Sequence, residues 1–235
     1  MSSVLEQPAD ETAAAFPTGL ASTSYASFRL AVPLGDHDRA ELAREARQAF
    51  ESVDGVALRG VYDTSGMRAE CDLLFWAAAP TVEALQEAGL ALRRAHLGAH
   101  LEPYWHAVGV HREAEFSKTH RPAYFDGEAP HEWVCVYPFV RTMEWYLLDP
   151  IRRRDMLVEH GRMGRGYPDV RANTVSAFGL GDYEWLLAFE CDDLGRIVDL
   201  IRHLRAAEAR LYTKEELPFI TGRRRPLEEL LADLP

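Results

Sequence analysis

The order of elements along this chain constrains its fold more tightly than any composition figure, because the same order can be read twice. In the first half, residues 25–32 read as a strand, and 38–52 read as a helix with Leu42, Ala46, Ala49 and Phe50 facing inward. Residues 56–62 and 69–77 follow as strands. Residues 81–97 form a helix with Thr81 placed to cap it, and 104–110 close the half as a strand. The second half repeats the order: 133–145 is a strand and 150–164 a helix with Pro150 in its first turn. Strands 171–179 and 183–191 flank the turn Gly179-Leu180-Gly181-Asp182, 194–212 is a long helix, and 217–222 is the last strand. Strand–helix–strand–strand–helix–strand is the ferredoxin-like order. Two such units in tandem predict an α+β fold with antiparallel sheets. The units occupy 23–111 and 132–224, with a flexible tail at 1–22, a connecting loop at 112–131 and a C-terminal tail at 225–235. A loop of that length, carrying Pro, Gly, His and aromatics, is often functional.

At 235 residues and 47% hydrophobic content, the chain can bury one large core or two smaller ones. Its net charge of −11 argues against nucleic-acid binding, which needs a basic surface. No apolar run approaches the ~18 residues of a membrane span, and the N-terminus lacks a basic region followed by an apolar stretch. Cys71, Cys135 and Cys191 are odd in number and far apart, so neither a disulfide framework nor a zinc knuckle is expected. All three read as small core residues on strands, and the chain reads as a reduced, cytoplasmic protein.

Chemistry concentrates in the second half. Side chains alternate along a strand, so Tyr137, Phe139, Arg141, Met143 and Trp145 are expected on one face, and Val134, Val136 and Val140 on the other, packed against helices. The first face joins aromatic area, a thioether, a phenol and a guanidinium, which suits a flat, partly anionic ligand. Pro138 lacks a ladder donor, which predicts a bulge or an edge. On the following helix, Met156, Leu157, His160 and Met163 are three and four apart and share a face, while Arg152, Arg153, Arg154 and Glu159 point to water. An imidazole on an apolar face needs a partner, which a hydrogen bond or a metal would supply.

Val136-Tyr137-Pro138-Phe139-Val140-Arg141, Glu159-His160-Gly161-Arg162-Met163-Gly164-Arg165, Gly181-Asp182-Tyr183-Glu184-Trp185 and Phe219-Ile220-Thr221-Gly222-Arg223 carry a resemblance to the chlorite dismutase family. More specifically, the chain resembles the actinobacterial coproheme decarboxylases of that family, over roughly residues 25 to 224. The resemblance implies two ferredoxin-like repeats of the dimeric α/β barrel type, assembled as a homopentamer. It implies iron coproporphyrin III (coproheme) as substrate and redox centre, hydrogen peroxide as co-substrate, and haem b as product. Haem biosynthesis would then proceed by oxidative decarboxylation of two propionates to vinyl groups.

Residue by residue, His160 matches the axial ligand of the haem iron, and Tyr137 the tyrosine whose radical starts decarboxylation. Arg141 falls near the reacting propionate, and Arg210 resembles an arginine that holds a propionate. His120, in Ser117-Lys118-Thr119-His120-Arg121-Pro122, resembles a distal histidine acting as base and then acid. Lys118 and Arg121 are further basic groups for propionates, and Phe139, Met143, Trp145, Ala172 and Trp185 are expected pocket walls. Ala172 stands where chlorite-degrading members carry an arginine, and alanine cannot stabilise a leaving hypochlorite, so chlorite chemistry is disfavoured. A transient contact with a coproporphyrin ferrochelatase is a further implication. The rival readings are a haem carrier or sensor, a peroxidase-like member without decarboxylation, and a structural oligomer in which His160 is only a core residue.

Overall fold

The computed structural model describes residues 16–113, 115 and 121–235. The first unit runs β1 (Ser22–Leu30), α1 (Arg39–Glu51), β2 (Ala57–Asp63), β3 (Leu73–Ala79), α2 (Val82–Arg94) and β4 (Leu101–Val110). Both helices start where their side chains cap them: Asp38 accepts from Ala40 and Glu41 N–H groups, and Thr81 from Ala84 N–H. The second unit runs β5 (Trp133–Arg141), α3 (Met143–Leu147), α4 (Pro150–Gly164), β6 (Arg171–Ser176), β7 (Trp185–Cys191) and α5 (Leu194–Leu204). A 3₁₀ turn at Glu208–Tyr212 leads to β8 (Thr213–Glu215), β9 (Ile220–Arg224) and α6 (Leu227–Ala232).

Each unit orders its strands alike: β4-β1-β3-β2 in the first, β9-β5-β7-β6 in the second, all antiparallel. The units join twice, β4 to β6 and β2 to β9. Because β5 also pairs with β7, the sheet closes on itself as a barrel, which is the tandem ferredoxin-like architecture of the dimeric α/β barrel type.

Three apolar layers follow from the alternation of side chains. Outside the first unit, Phe28, Val61, Leu73 and Phe75 pack under α1, α2 and α6. The barrel interior is built by both units, with Tyr25, Tyr62, Trp76, Val134, Val136, Leu186 and Ile220. Outside the second unit, Cys135, Tyr137, Phe189 and Cys191 pack under Ile197 and Leu200 of α5. Val134 and Val136 therefore face the barrel interior, not helices as expected, and the Tyr137 face is the one that helices cover.

Other expectations also need correction. The strand expected over 133–145 stops at Arg141, so Met143 and Trp145 leave its face: Met143 is 80% exposed on α3, and Trp145 is buried against Met156 and Ala209. The helix expected over 194–212 ends at Leu204. Cys71 precedes β3 and is not on a strand, although it is buried and free like the other two cysteines. Residues 225–235 hold α6, whose Leu227, Leu230 and Leu231 are buried, and Phe16 and Leu20 within the expected N-terminal tail are buried too. Arg153 and Glu159 do not simply point to water: Arg153 donates to Glu115 and the Tyr146 carbonyl, and Glu159 accepts from Glu208 N–H. Pro138 sits where β5 has no ladder partner on its β8–β9 side, between the β9 pairing that ends at Val136 and the β8 pairing that begins at Val140.

Candidate functional site

Tyr137 is presented outward by β5, opposite Leu187 of β7. Its ring stacks on Phe219 at 4.3 Å between centroids and leans on Phe189 at 6.2 Å. Burial pushes its phenol well above the ordinary range; Cys135 and Glu216 add to the rise, while Arg205 and Arg210 oppose it. The phenol is therefore neutral, and any loss of an electron from it must be accompanied by loss of its proton.

Arg141 ends β5, after a bulge between Val140 and Arg141. Its peptide N–H donates to Glu184 Oε2 at 2.7 Å, and Nη1 donates to the Ala209 carbonyl at 2.9 Å and Thr213 Oγ1 at 3.3 Å. The guanidinium lies over the rings of Trp145 at 4.2 Å and Phe139 at 5.1 Å. Burial lowers its pKa, against the pull of Tyr146, Glu216 and Glu184, and an arginine in such surroundings stays charged. Phe139 in turn stacks on Trp185, 6.1 Å away and 13° from parallel. Arg210, on the 3₁₀ turn, bonds Glu216 Oε2 at 3.1 Å, and Arg205 bonds the same oxygen.

His160 stands on α4, whose first turn is fixed by Asp149 accepting from Ile151 N–H at 2.8 Å and by Pro150 at the start. Met156, Leu157, His160 and Met163 share the helix's less exposed face, with Met156 buried and the other three half-buried. The helix packs chiefly on α5 and the 208–212 turn. Ala172, on β6 opposite Phe189, lines a cavity of about 640 Å³ with Val170, Cys191, Ala123, His131 and Arg121. Arg121 is paired with Asp126 at 2.7 Å. His120 and Lys118 lie outside the described residues. Among the described residues no group of three or more His, Cys, Asp or Glu side chains is arranged to hold a metal. A metal bound at His160 would have to arrive with most of its ligands, as porphyrin iron does.

Two groupings emerge from the expected residues. Tyr137, Arg141 and Arg210 gather around the 205–216 segment, and Phe139 and Trp185 adjoin Arg141 as a stacked pair. Ala172 and Arg121 share the cavity, and the apolar layer of Tyr137, Phe189, Val170 and Ala172 joins the two. Met143 belongs to neither. Arg205, Glu216 and Phe219 belong to the first grouping without having been singled out as site residues. Arg205 was hidden inside an over-long helix, and Glu216 in a loop with no periodic pattern.

A chlorite dismutase family model matches residues 39–225. The coproheme decarboxylase of Mycolicibacterium smegmatis is 53% identical over 201 residues, covering 84% of this chain and 87% of that protein. A coproheme decarboxylase of Staphylococcus carnosus is 24% identical over 216 residues, covering 83% and 86%. Among solved structures, chlorite dismutase from Candidatus Nitrospira defluvii superposes with a TM-score of 0.78 at 22% identity, covering 91% of this chain and 94% of that one. The barrel, the match across four-fifths of the sequence and the degree of identity agree, and the chain belongs to the chlorite dismutase family.

Proposed function

We propose that this protein is a coproheme decarboxylase of haem biosynthesis, converting two propionates of iron coproporphyrin III to vinyl groups with hydrogen peroxide and giving haem b. The observation that carries the reading is a buried Tyr137 phenol, stacked on Phe219 and within electrostatic reach of Arg205 and Arg210, in a chain 53% identical to a protein of that name. The outer face of β5, β6 and β7 supplies apolar area for a macrocycle, through Leu187, Phe189, Val170 and Ala172. Charge-assisted hydrogen bonds from arginine to a propionate contribute about 1.5–3 kcal/mol each, which offsets the unfavourable field of a chain of net charge −11. His160 is the proposed axial ligand, presented by the less exposed face of α4. Lys118 and Arg121 are proposed as further propionate contacts.

When bound, the iron of the substrate supplies the one-electron oxidant by reacting with peroxide. Tyr137 then gives up an electron and its proton, and takes a hydrogen atom from the β-carbon of the nearby propionate. The substrate radical loses a further electron and carbon dioxide, leaving a vinyl group. Each turn consumes one propionate, one peroxide and one proton, and yields one vinyl group, one carbon dioxide and two waters. His120 is assigned the peroxide proton. Ala172, at the position where the resemblance gives chlorite-degrading members an arginine, would offer a bound oxidant no charge, which favours decarboxylation over chlorite chemistry. The cytoplasm as the site of action, a homopentameric ring and a passing contact with a coproporphyrin ferrochelatase belong to the same reading. Mass analysis of the porphyrin after stepwise peroxide addition tests it. Two successive losses of a carboxyl group are expected, and coproheme recovered unchanged or merely bleached would overturn it.

A further inference from the structure

The segment between α5 and β9 already holds a carboxylate at the place where a substrate carboxylate would have to be held. Arg205 donates to Oε2 of Glu216, and Arg210 is ion-paired with the same oxygen at 3.1 Å. The Glu216 side chain is only 16% exposed, against 40% and 36% for the arginines, so the acid is the inner member of the trio. Val140 of β5 pairs with Glu215, Arg141 donates to Thr213, and Tyr137 stacks on Phe219, so the 213–219 segment runs along the end of β5 and brings Glu216 and both guanidinium groups within electrostatic reach of the Tyr137 phenol. A propionate brought to Tyr137 therefore meets a carboxylate already seated on those arginines. Like charges at such separations cannot both stay ionised and share one pair of cations without large cost.

We propose that Glu216 is an exchangeable counter-carboxylate. It occupies Arg205 and Arg210 in the empty site, yields them to a propionate of the incoming porphyrin, and recovers them once that propionate has become a vinyl group. The inference rests on the coproheme reading and adds a regulatory part to the same site. The local backbone permits the exchange. Glu216 follows β8, which is three residues long and pairs only with the end of β5, and its neighbours Lys214, Glu215 and Leu217 are exposed. A side chain so placed reaches water by rotating outward. The arginines are then compensated at every stage: by Glu216 before binding, by the propionate during reaction, and by Glu216 again beside the product.

Competition of this kind weakens binding of a porphyrin that carries a carboxylate at the reacting position, and leaves binding of one that carries a vinyl group there unaffected. Zinc coproporphyrin III and zinc protoporphyrin IX provide that comparison, since both fluoresce and neither reacts with peroxide as iron does. Titration of each into the full-length protein should give saturable binding. Glu216→Gln should then bind zinc coproporphyrin III about ten-fold more tightly, the change expected for removing one charge-assisted competitor. Its affinity for zinc protoporphyrin IX should stay within two-fold (roughly the scatter of such measurements). In the double variant Arg210→Gln/Glu216→Gln most of the gain should vanish. Equal tightening for both porphyrins, no tightening, or weaker binding of zinc coproporphyrin III by Glu216→Gln would overturn the inference alone. Wild-type protein that fails to bind zinc coproporphyrin III would overturn the coproheme reading and the inference with it.

Discussion

At Tyr137 an ordinary alternation along β5 places a phenol between Phe219 and Phe189, and burial holds its proton in place. Tyr137→Phe keeps the stacked ring and removes only the hydroxyl, so folding and coproheme binding should stay within about 0.5–1.5 kcal/mol of wild type. Vinyl formation should nevertheless stop, because phenylalanine has no proton-coupled electron to give. Mass analysis after peroxide checks this, and wild-type yields of haem b from the variant would reduce Tyr137 to a pocket wall. Burial also raises the phenols of Tyr25, Tyr62 and Tyr124, which links these residues to alkaline stability. In the unfolded chain a tyrosine releases its proton at a pH of about 10, whereas these stay protonated in the fold. The unfolded state then binds fewer protons, so stability should fall as pH rises through about 10 and beyond. Urea melts at stepped pH would reveal a flat profile if the four phenols ionised freely.

Helix α4 is where element structure and chemistry meet, because its Asp149 cap and Pro150 start set the turn on which His160 appears. His160→Ala should leave the helix intact, alanine being the best helix former, and should change the ferric absorption and paramagnetic resonance spectra of the coproheme complex. An unchanged spectrum would remove His160 as the iron ligand. Most elements and their order could be read from the chain, because period-two and period-3.6 patterns survive there, whereas the roles proposed for Tyr137, His160 and Arg210 come from the family resemblance and not from any period. Where reading failed, pattern and contact disagreed. Alternation runs on through Met143 and Trp145, but β5 is ended by a bulge onto β8 and by the turn into α3, which tertiary contacts create. Periodicity also says that Val136 and Tyr137 face opposite ways, without saying which side closes into a barrel. A six-residue helix such as α6 is too short to announce itself, yet Leu230 is 1% exposed in the layer beneath α1. Leu230→Ala should cost about 2–5 kcal/mol in urea denaturation. A cost under about 0.5 kcal/mol, the level of a surface change, would mean that α6 does not stay docked.

The whole molecule depends on two units closing one barrel, and a fully buried ion pair ties them together inside it. Arg59 of β2 and Glu190 of β7 meet through Nε–Oε1 at 3.1 Å and Nη2–Oε2 at 2.7 Å, with both side chains fully buried. A register shift between Leu58 and Gly60 places Arg59 at a bulge, and this turns its side chain inward although Val61, two residues on, packs outward. Around the pair, Asn173 donates to Glu190 Oε2 at 3.0 Å and accepts from Tyr124 N–H, while Arg59 donates to the Glu128 carbonyl and lies over the rings of Trp76 and Phe16. One network thus connects the first unit, the 121–131 segment and the second unit. Buried pairs often contribute little net stability compared with apolar replacements, but breaking one leaves a charge without a partner in a dry interior. Arg59→Met should therefore destabilise the protein by about 3–5 kcal/mol, with Glu190 left uncompensated. Adding Glu190→Gln to that variant should recover part of the loss, because the stranded charge is gone and the amide can still accept from Asn173. Urea denaturation of the two single variants, the double variant and the wild type closes the cycle. If the two changes are simply additive, Arg59 and Glu190 act independently, and the barrel is held by its ladders and apolar interior alone.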